Sequence, residues 1–177
     1  MSFPYSVNFN NPLKSVISPE NQDQVFLFIK CRILEKKASN IQTGDNIISY
    51  KGSTSRWRGS LFRMVDDGFF ALIFKNHRWA LHYHINCRSL FIDTSILTAI
   101  FGFFALLLSI KVGWPWWSGL LVWILSYLWI FGANWITIFF QHRELAADIS
   151  IEIDELISGK IVKADLDKMD GKLSNWF

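Results

Sequence analysis

Two long stretches without a charged side chain constrain this chain more than any other feature of its sequence. The first runs from Thr94 to Ile110 and the second from Val112 to Phe140, with Lys111 alone between them. A helix rises about 1.5 Å per residue and needs roughly 20 apolar residues to cross a hydrocarbon core of about 30 Å. We therefore predict a hairpin of two transmembrane helices, at about 90–110 and 117–140.

A soluble protein with two fully buried helices is the alternative to this membrane hairpin. The chain has 177 residues, of which 51% are hydrophobic and 16% aromatic. A domain of this size has too little polar surface to surround two helices that are apolar on every side. No basic segment followed by a short apolar one opens the chain, so we expect the spans themselves, rather than a cleaved signal peptide, to direct insertion.

The distribution of charge predicts the orientation in the membrane. Residues 1–92 contain twelve Lys and Arg against six Asp and Glu, whereas residues 141–177 contain five against eight. Basic residues near the ends of spans are retained in the cytoplasm. We expect both termini in the cytoplasm and the turn from Lys111 to Trp117 on the other side. The net charge of +3 then fits a domain beside anionic lipid better than a nucleic-acid-binding protein.

The residues before the first span predict an α+β domain at 1–89. Ser18, Pro19 and Glu20 stand in the order typical of a helix start, which predicts a helix over 19–37, although Phe26 to Phe28 would also suit a strand. A break is expected at the Asn-Asn-Pro sequence of 10–12, after a short strand. From residue 40 onward the apolar period is two, which predicts an antiparallel β-meander with strands at 46–50, 56–64, 69–74 and 78–87.

Residues 141–177 are expected to form an amphipathic cytoplasmic helix followed by a charged tail. Leu145, Ile149, Ile153 and Leu156 recur at helical spacing, and Gly159 is a plausible stop. The alternation of three isoleucines over 149–153 keeps a strand possible. The predicted fold class is therefore α+β, with a two-helix transmembrane hairpin beside a juxtamembrane meander and helix.

Small residues and tryptophans are the candidate functional residues of the spans. Small side chains let membrane helices approach closely, and an amide inside a span needs a hydrogen-bond partner, so we expect helix contacts at Gly102, Ala105, Gly132, Ala133 and Asn134. Gly119 has the same small-residue character. Tryptophan prefers the headgroup region, which predicts an interfacial anchor at Trp114, Trp116 and Trp117.

Basic and histidine side chains are the candidates of the predicted sheet. Five arginines form a set that we expect to face anionic lipid rather than nucleic acid: Arg56, Arg58, Arg63, Arg78 and Arg88. His82 and His84 share one face of a strand, which would suit a metal, but two ligands do not make a site. No motif of nucleophilic catalysis or phosphate binding is present. We expect no enzyme activity, no cofactor and no metal.

Four features give the chain a resemblance to known proteins: the sheet, the predicted hairpin at Gly68, the segment from Phe91 to Ser95, and the segment from Gly132 to Trp135. Over residues 40–150 it resembles small uncharacterised two-span membrane proteins of bacteria. More loosely, its layout is similar to that of bacterial membrane-anchored pleckstrin-homology-like proteins. The resemblance implies the bacterial inner membrane and a cytoplasmic β domain.

The function expected from the sequence is that of an interaction module. It would be an accessory subunit or adaptor that binds a membrane-protein partner, or a second copy of itself, in the lipid bilayer. Two alternatives are an oligomerising pore-forming or membrane-disrupting effector and a metal-dependent membrane enzyme that uses the two histidines.

Overall fold

The computed structural model describes residues 5–44, 46–52 and 61–160, with the backbone but not the side chain of Arg63. These residues form a five-stranded antiparallel sheet and three α-helices, in an α+β arrangement. The helices are α1 (Pro19–Glu35), α2 (Arg88–Val112) and α3 (Trp116–Ile157), and a short 3₁₀ helix spans Leu61–Met64. The strands are β1 (Ser6–Pro12), β2 (Ser39–Thr43), β3 (Ile47–Lys51), β4 (Asp67–Lys75) and β5 (Arg78–Asn86).

The strands lie in the order β1-β5-β4-β3-β2. Strands β2 to β5 are consecutive and antiparallel, so a meander is present as predicted, although it includes β2, which was not predicted. Strand β1 adds to the outer side of β5. The turn between β4 and β5 contains two residues with positive φ, Asn76 at 53° and His77 at 60°. Two-residue turns of this kind match the twist of paired strands, so β4 and β5 form a tight β-hairpin.

Both edge strands differ from the sequence expectation. The break predicted at 10–12 is wrong, because β1 continues to Pro12. Proline lacks a backbone donor but is tolerated on an edge strand, where one side of the strand makes no ladder bonds. Strand β2 was not predicted, since its only apolar residue is Ile41 and its pairing is interrupted by a shift of register between Ser39 and Gln42.

The region between β3 and β4 also differs from the expectation. Of the predicted strand at 56–64, residues 61–64 are a 3₁₀ helix instead, and residues 56–60 lie outside the described part of the chain. Asp66 to Gly68 is not a hairpin turn, because β4 already begins at Asp67. A side chain at Gly68 would place its Cβ 2.5 Å from the Tyr50 hydroxyl and 2.6 Å from the His84 carbonyl oxygen, so this glycine permits the close packing of Tyr50.

Helix α1 begins as predicted and ends two residues earlier. The Ser18 backbone N–H donates to the Asn21 Oδ1 at 2.9 Å, which closes the first turn. At the other end Lys37 has a φ of 65°, a left-handed conformation that stops the helix. Buried Val25, Phe28 and Ile29 pack this helix into the core.

Helix α3 is one unbroken element of 42 residues, about 63 Å long. Its last third supplies Leu145, Ala146, Ile149 and Ile153 to the same hydrophobic core as the sheet and α1. The expected amphipathic helix is therefore the continuation of the second apolar helix, and a strand at 149–153 is wrong. Residues 141–157 and the sheet share one core.

Among the described elements, the apolar parts of α2 and α3 pack mainly against each other. Both helices are long and apolar enough to cross a membrane, with mean hydropathy of 2.1 and 1.6 in their most apolar stretches. In those stretches only 17% and 6% of the residues are buried. A core helix of a soluble protein has most of its residues buried, unlike these two stretches.

Candidate functional site

Glycines bring α2 and α3 together in two places. A Cβ at Gly102 would lie 2.5 Å from the Cγ of Trp123, and one at Gly119 would lie 2.9 Å from the Cα of Leu106. These separations are too short for any side chain. One glycine on each helix therefore receives a residue of the other helix, in the way that small residues permit close packing of membrane helices.

Polar groups between the two helices are satisfied locally. Ala105 is half-buried, and its carbonyl oxygen accepts a 2.9 Å hydrogen bond from the Ser109 hydroxyl. The Ser118 hydroxyl of α3 lies 3.2 Å from the Ser109 hydroxyl. This serine pair joins the helices close to the turn between them.

The three predicted contact residues in the middle of α3 do not share one environment. Asn134 is half-buried, and its Nδ2 donates to the carbonyl oxygen of Ile130 in the same helix at 2.8 Å. Ala133 is exposed, and a Cβ at Gly132 would meet none of the described residues within 4 Å. Because a helix turns about 100° per residue, Gly132 and Asn134 point to nearly opposite sides.

Tryptophans surround the turn between the helices. Trp114, Trp116 and Trp117 are all exposed, and Gly113 adopts the left-handed conformation that ends α2. The exposed Lys111 lies in the last turn of α2, where a cation interacts favourably with the helix dipole. The closed end of the hairpin therefore presents indole rings and one cation, the side chains that favour a membrane interface.

Of the five arginines predicted to face lipid, the structure describes the side chains of Arg78 and Arg88 alone, and these two lie far apart. Arg56 and Arg58 lie outside the described residues, and of Arg63 only the backbone is described. Arg78 begins β5, whereas Arg88 begins α2 just past the other end of that strand. Ten residues of mostly extended chain place the two arginines about 30 Å apart, so a membrane surface beside Arg88 leaves Arg78 far from it.

The junction of sheet and hairpin is held by Asp66. Strand β5 ends at Asn86 and α2 begins at Arg88, with only Cys87 between them. The Asp66 carboxylate accepts the backbone N–H of Ser89 at 2.7 Å and also the Ser89 hydroxyl. A carboxylate in this position satisfies the free N–H groups of a helix start. The sequence does not predict this role, because Asp66 lies next to the hairpin expected at Gly68.

A buried chain of three polar side chains connects the sheet to α3. The Tyr50 and Tyr83 hydroxyl oxygens lie 2.8 Å apart, and the Tyr83 hydroxyl lies 2.6 Å from the His142 Nδ1. Nothing in the sequence distinguishes His142, which follows the apolar run by two residues, as a core residue.

Burial shifts the pKa values of these three side chains. It raises the pKa of both tyrosines and lowers the pKa of His142 to about 4. The His142 Nε2 has no hydrogen-bond partner within the described residues, although the nearby Leu61 backbone partly favours the charged form. The imidazole is therefore neutral at pH 7 and acts as a structural link.

His82 and His84 lie on the outer face of the sheet, as their spacing predicts. Their Nδ1 atoms lie 2.5 Å and 2.6 Å from the Oδ1 atoms of Asn10 and Asn8 on β1. The Phe69 ring stacks on His84 at 5.0 Å. Partial burial lowers the pKa of both imidazoles. No group of three or more metal-binding side chains occurs within the described residues, so the metal hypothesis gains no further ligand.

No family model, curated protein or solved structure matches this chain.

Proposed function

We propose that the protein is an integral protein of the bacterial inner membrane and works there as a non-enzymatic interaction module. In this proposal α2 and the first part of α3 cross the bilayer, and both termini and the sheet lie in the cytoplasm. The module is an accessory subunit or adaptor that binds another membrane protein or a second copy of itself.

The exposure of apolar side chains supports the membrane part of the proposal. Phe103 and Leu108 on α2 and Ile124 and Leu128 on α3 are each between 56% and 61% exposed. In water, burying such a side chain is worth about 1.5–3 kcal/mol, and a folded monomer rarely leaves so many exposed in one patch. In a bilayer, the lipid chains surround these side chains, so their exposure carries no hydrophobic cost.

The uncovered glycine of α3 is the observation that carries the interaction part. The space beside Gly102 and the space beside Gly119 are each occupied by the neighbouring helix, whereas the space beside Gly132 is open among the described residues. Trp129 and Ile136 lie on the same side of α3 as Gly132, and they are 78% and 56% exposed. The helix thus presents a recess between two large side chains, and such a recess suits close contact with another membrane helix.

Helix α3 connects the contact at Gly132 to the sheet. Because α3 runs unbroken from Gly132 to the residues that pack under the sheet, a helix bound at Gly132 and the sheet are held in fixed relation. The protein can therefore position a cytoplasmic surface relative to a membrane partner.

The test is the native mass of the complex extracted gently from its own membranes. We expect an assembly larger than the monomer, and we expect Gly132→Leu to reduce it because the added side chain fills the recess. Val122→Leu is the matched control, since it adds bulk at another exposed position of the same helix. A monomer in every sample, or equal loss in both variants, would contradict the proposal.

Asn134→Leu sharpens this test. The Asn134 side chain already bonds within its own helix, so we expect its replacement to weaken assembly less than Gly132→Leu does. The comparison of the two native masses measures which side of α3 carries the contact.

A further inference from the structure

A groove lies at the end of the sheet farthest from the hairpin. It has a volume of about 520 Å³ and is formed by the segment after β1 together with the β4-β5 turn. Its floor is apolar: the Phe74 and Trp79 ring centroids are 5.3 Å apart, and Leu13 and Val16 complete it. Phe74 and Val16 are 58% and 75% exposed, although neither belongs to a candidate membrane helix. We call this the distal groove.

Positive charge borders the distal groove. Lys14 and Arg78 line it, and Lys75 pairs with Arg78 across the turn. Among the described residues that line it, none is acidic. The neighbouring Asp154 carboxylate accepts the backbone N–H groups of Lys14 and Ser15 at 2.8 to 3.1 Å and so is directed at the backbone rather than at the groove. The charge of the rim therefore favours a negatively charged ligand.

The groove is held in one shape by hydrogen bonds from both sides. The Leu13 N–H donates to the Trp79 carbonyl oxygen at 2.8 Å, and Asp154 holds the next two residues. On the other side the tight turn at Asn76 and His77 fixes the positions of Lys75 and Arg78. A preformed surface loses little entropy when a ligand binds.

The distance of the distal groove from the membrane indicates whether its ligand is lipid or protein. Asp154, which contacts Lys14, lies 14 residues after Phe140 in the sequence of α3, or about 21 Å along the helix axis. Phe140 is the predicted end of the second span. The electrostatic influence of a lipid surface decays over about 8 Å at physiological salt. The rim is therefore out of reach of the headgroups and is open to the cytoplasm.

We propose that the distal groove binds a peptide segment of a partner protein in which apolar side chains are flanked by carboxylates. The apolar side chains cover Phe74 and Val16, and the carboxylates pair with Lys14 and Arg78. This inference rests on the proposed function and adds to it the second surface that an adaptor needs, opposite to the membrane contact at Gly132.

The test uses the full-length protein in nanodiscs of uncharged lipid and four fluorescent hexapeptides. One peptide has Leu-Phe between pairs of Asp, one has Leu-Phe between pairs of Lys, and two have Ser-Ser in place of Leu-Phe. Fluorescence anisotropy should show that the acidic apolar peptide binds at least tenfold more tightly than each of the others. Equal binding of all four peptides would overturn the proposal.

A charge reversal makes the test specific to the rim. The double variant Lys14→Glu with Arg78→Glu should lose at least tenfold in affinity for the acidic apolar peptide and should prefer the basic apolar one. The control Lys51→Glu changes an exposed lysine of β3 outside the groove and should keep the original preference. The same loss in the control, or no reversal in the double variant, would overturn the proposal.

Two other results are also decisive. Peptide binding that appears only after removal of residues 161–177 would overturn the proposal, because the occupant would then be part of the chain itself. If peptides fail to bind while the native assembly remains larger than a monomer, only this inference fails. If the assembly is a monomer, the proposed function fails whatever the peptides do.

Discussion

The sheet region and the helical hairpin place the same kinds of side chain in opposite positions. In the sheet, Phe70, Ile48 and Tyr83 are fully buried. In the hairpin, Phe103, Phe104 and Leu108 lie outside and are each more than half exposed, whereas Gly102, Thr98 and Ser109 are inside. A sequence that must fold in water buries its large apolar residues. The hairpin reverses this order, which is the arrangement that a hydrocarbon solvent favours.

The largest expected effect comes from the same substitution made in both regions. Phe70→Ala should reduce the free energy of unfolding by about 3–5 kcal/mol, because it leaves a cavity in a close-packed core. Phe103→Ala should change it by less than about 0.5 kcal/mol, because its ring makes few contacts within the protein. Denaturant unfolding of the sheet in nanodiscs, followed by tryptophan fluorescence, measures both. An equal loss of unfolding free energy in both variants would contradict the proposed difference between the two regions.

A second prediction concerns the histidine that joins the regions. The pKa of His142 in the folded protein is about 4, below the unfolded value of about 6.5. The unfolded chain therefore binds more protons between these values, and stability should fall as the pH falls from about 6.5 to about 4. The loss should approach roughly 3 kcal/mol.

His142→Gln separates this effect from general acid sensitivity. Glutamine cannot be protonated in this range but can still bond to the Tyr83 hydroxyl. Unfolding measured at several pH values should therefore show a shallower slope in the variant than in the wild type over pH 4–6.5. Identical slopes would mean that another group causes the acid sensitivity.

The smallest effect is expected at the start of α2. Asp66→Ala removes the carboxylate that accepts the Ser89 N–H and should cost about 1 kcal/mol. Asp67→Ala is the control, because Asp67 is exposed and its side chain accepts a long bond of 3.3 Å from Asn86 in the sheet rather than a bond from α2. Hydrogen exchange of the first turn of α2 measures the difference. Equal exchange in both variants would show that Asp66 does not hold the junction.

The two regions also differ in how much of them the sequence predicts. The long apolar runs predict α2 and α3, and short apolar segments separated by turn residues predict β3, β4 and β5. The edges of the sheet were harder, since β1 contains a proline and β2 has a single apolar residue. In both strands tertiary pairing outweighs local preference.

The functional surfaces depend on information that the sequence does not carry. Gly102, Gly119 and Gly132 are alike as residues, but only the packing of the hairpin shows that the third is open. Arg78 and Arg88 appear in one basic set, yet strand β5 separates them. The distal groove joins residues 12–16 to residues 74–79, and only the pairing of β1 with β5 makes them neighbours.

The most direct test of the proposed topology is to determine on which side of the membrane the hairpin turn and the β4-β5 turn lie. Cys31 and Cys87 are buried, so a cysteine introduced at Trp114 in the hairpin turn or at Lys75 in the β4-β5 turn can be labelled against a low background. With a membrane-impermeant maleimide added to spheroplasts, we predict labelling of Trp114→Cys in intact spheroplasts and of Lys75→Cys only after lysis. Labelling of both before lysis, or of neither, would contradict the proposal that the hairpin crosses the membrane with the sheet in the cytoplasm.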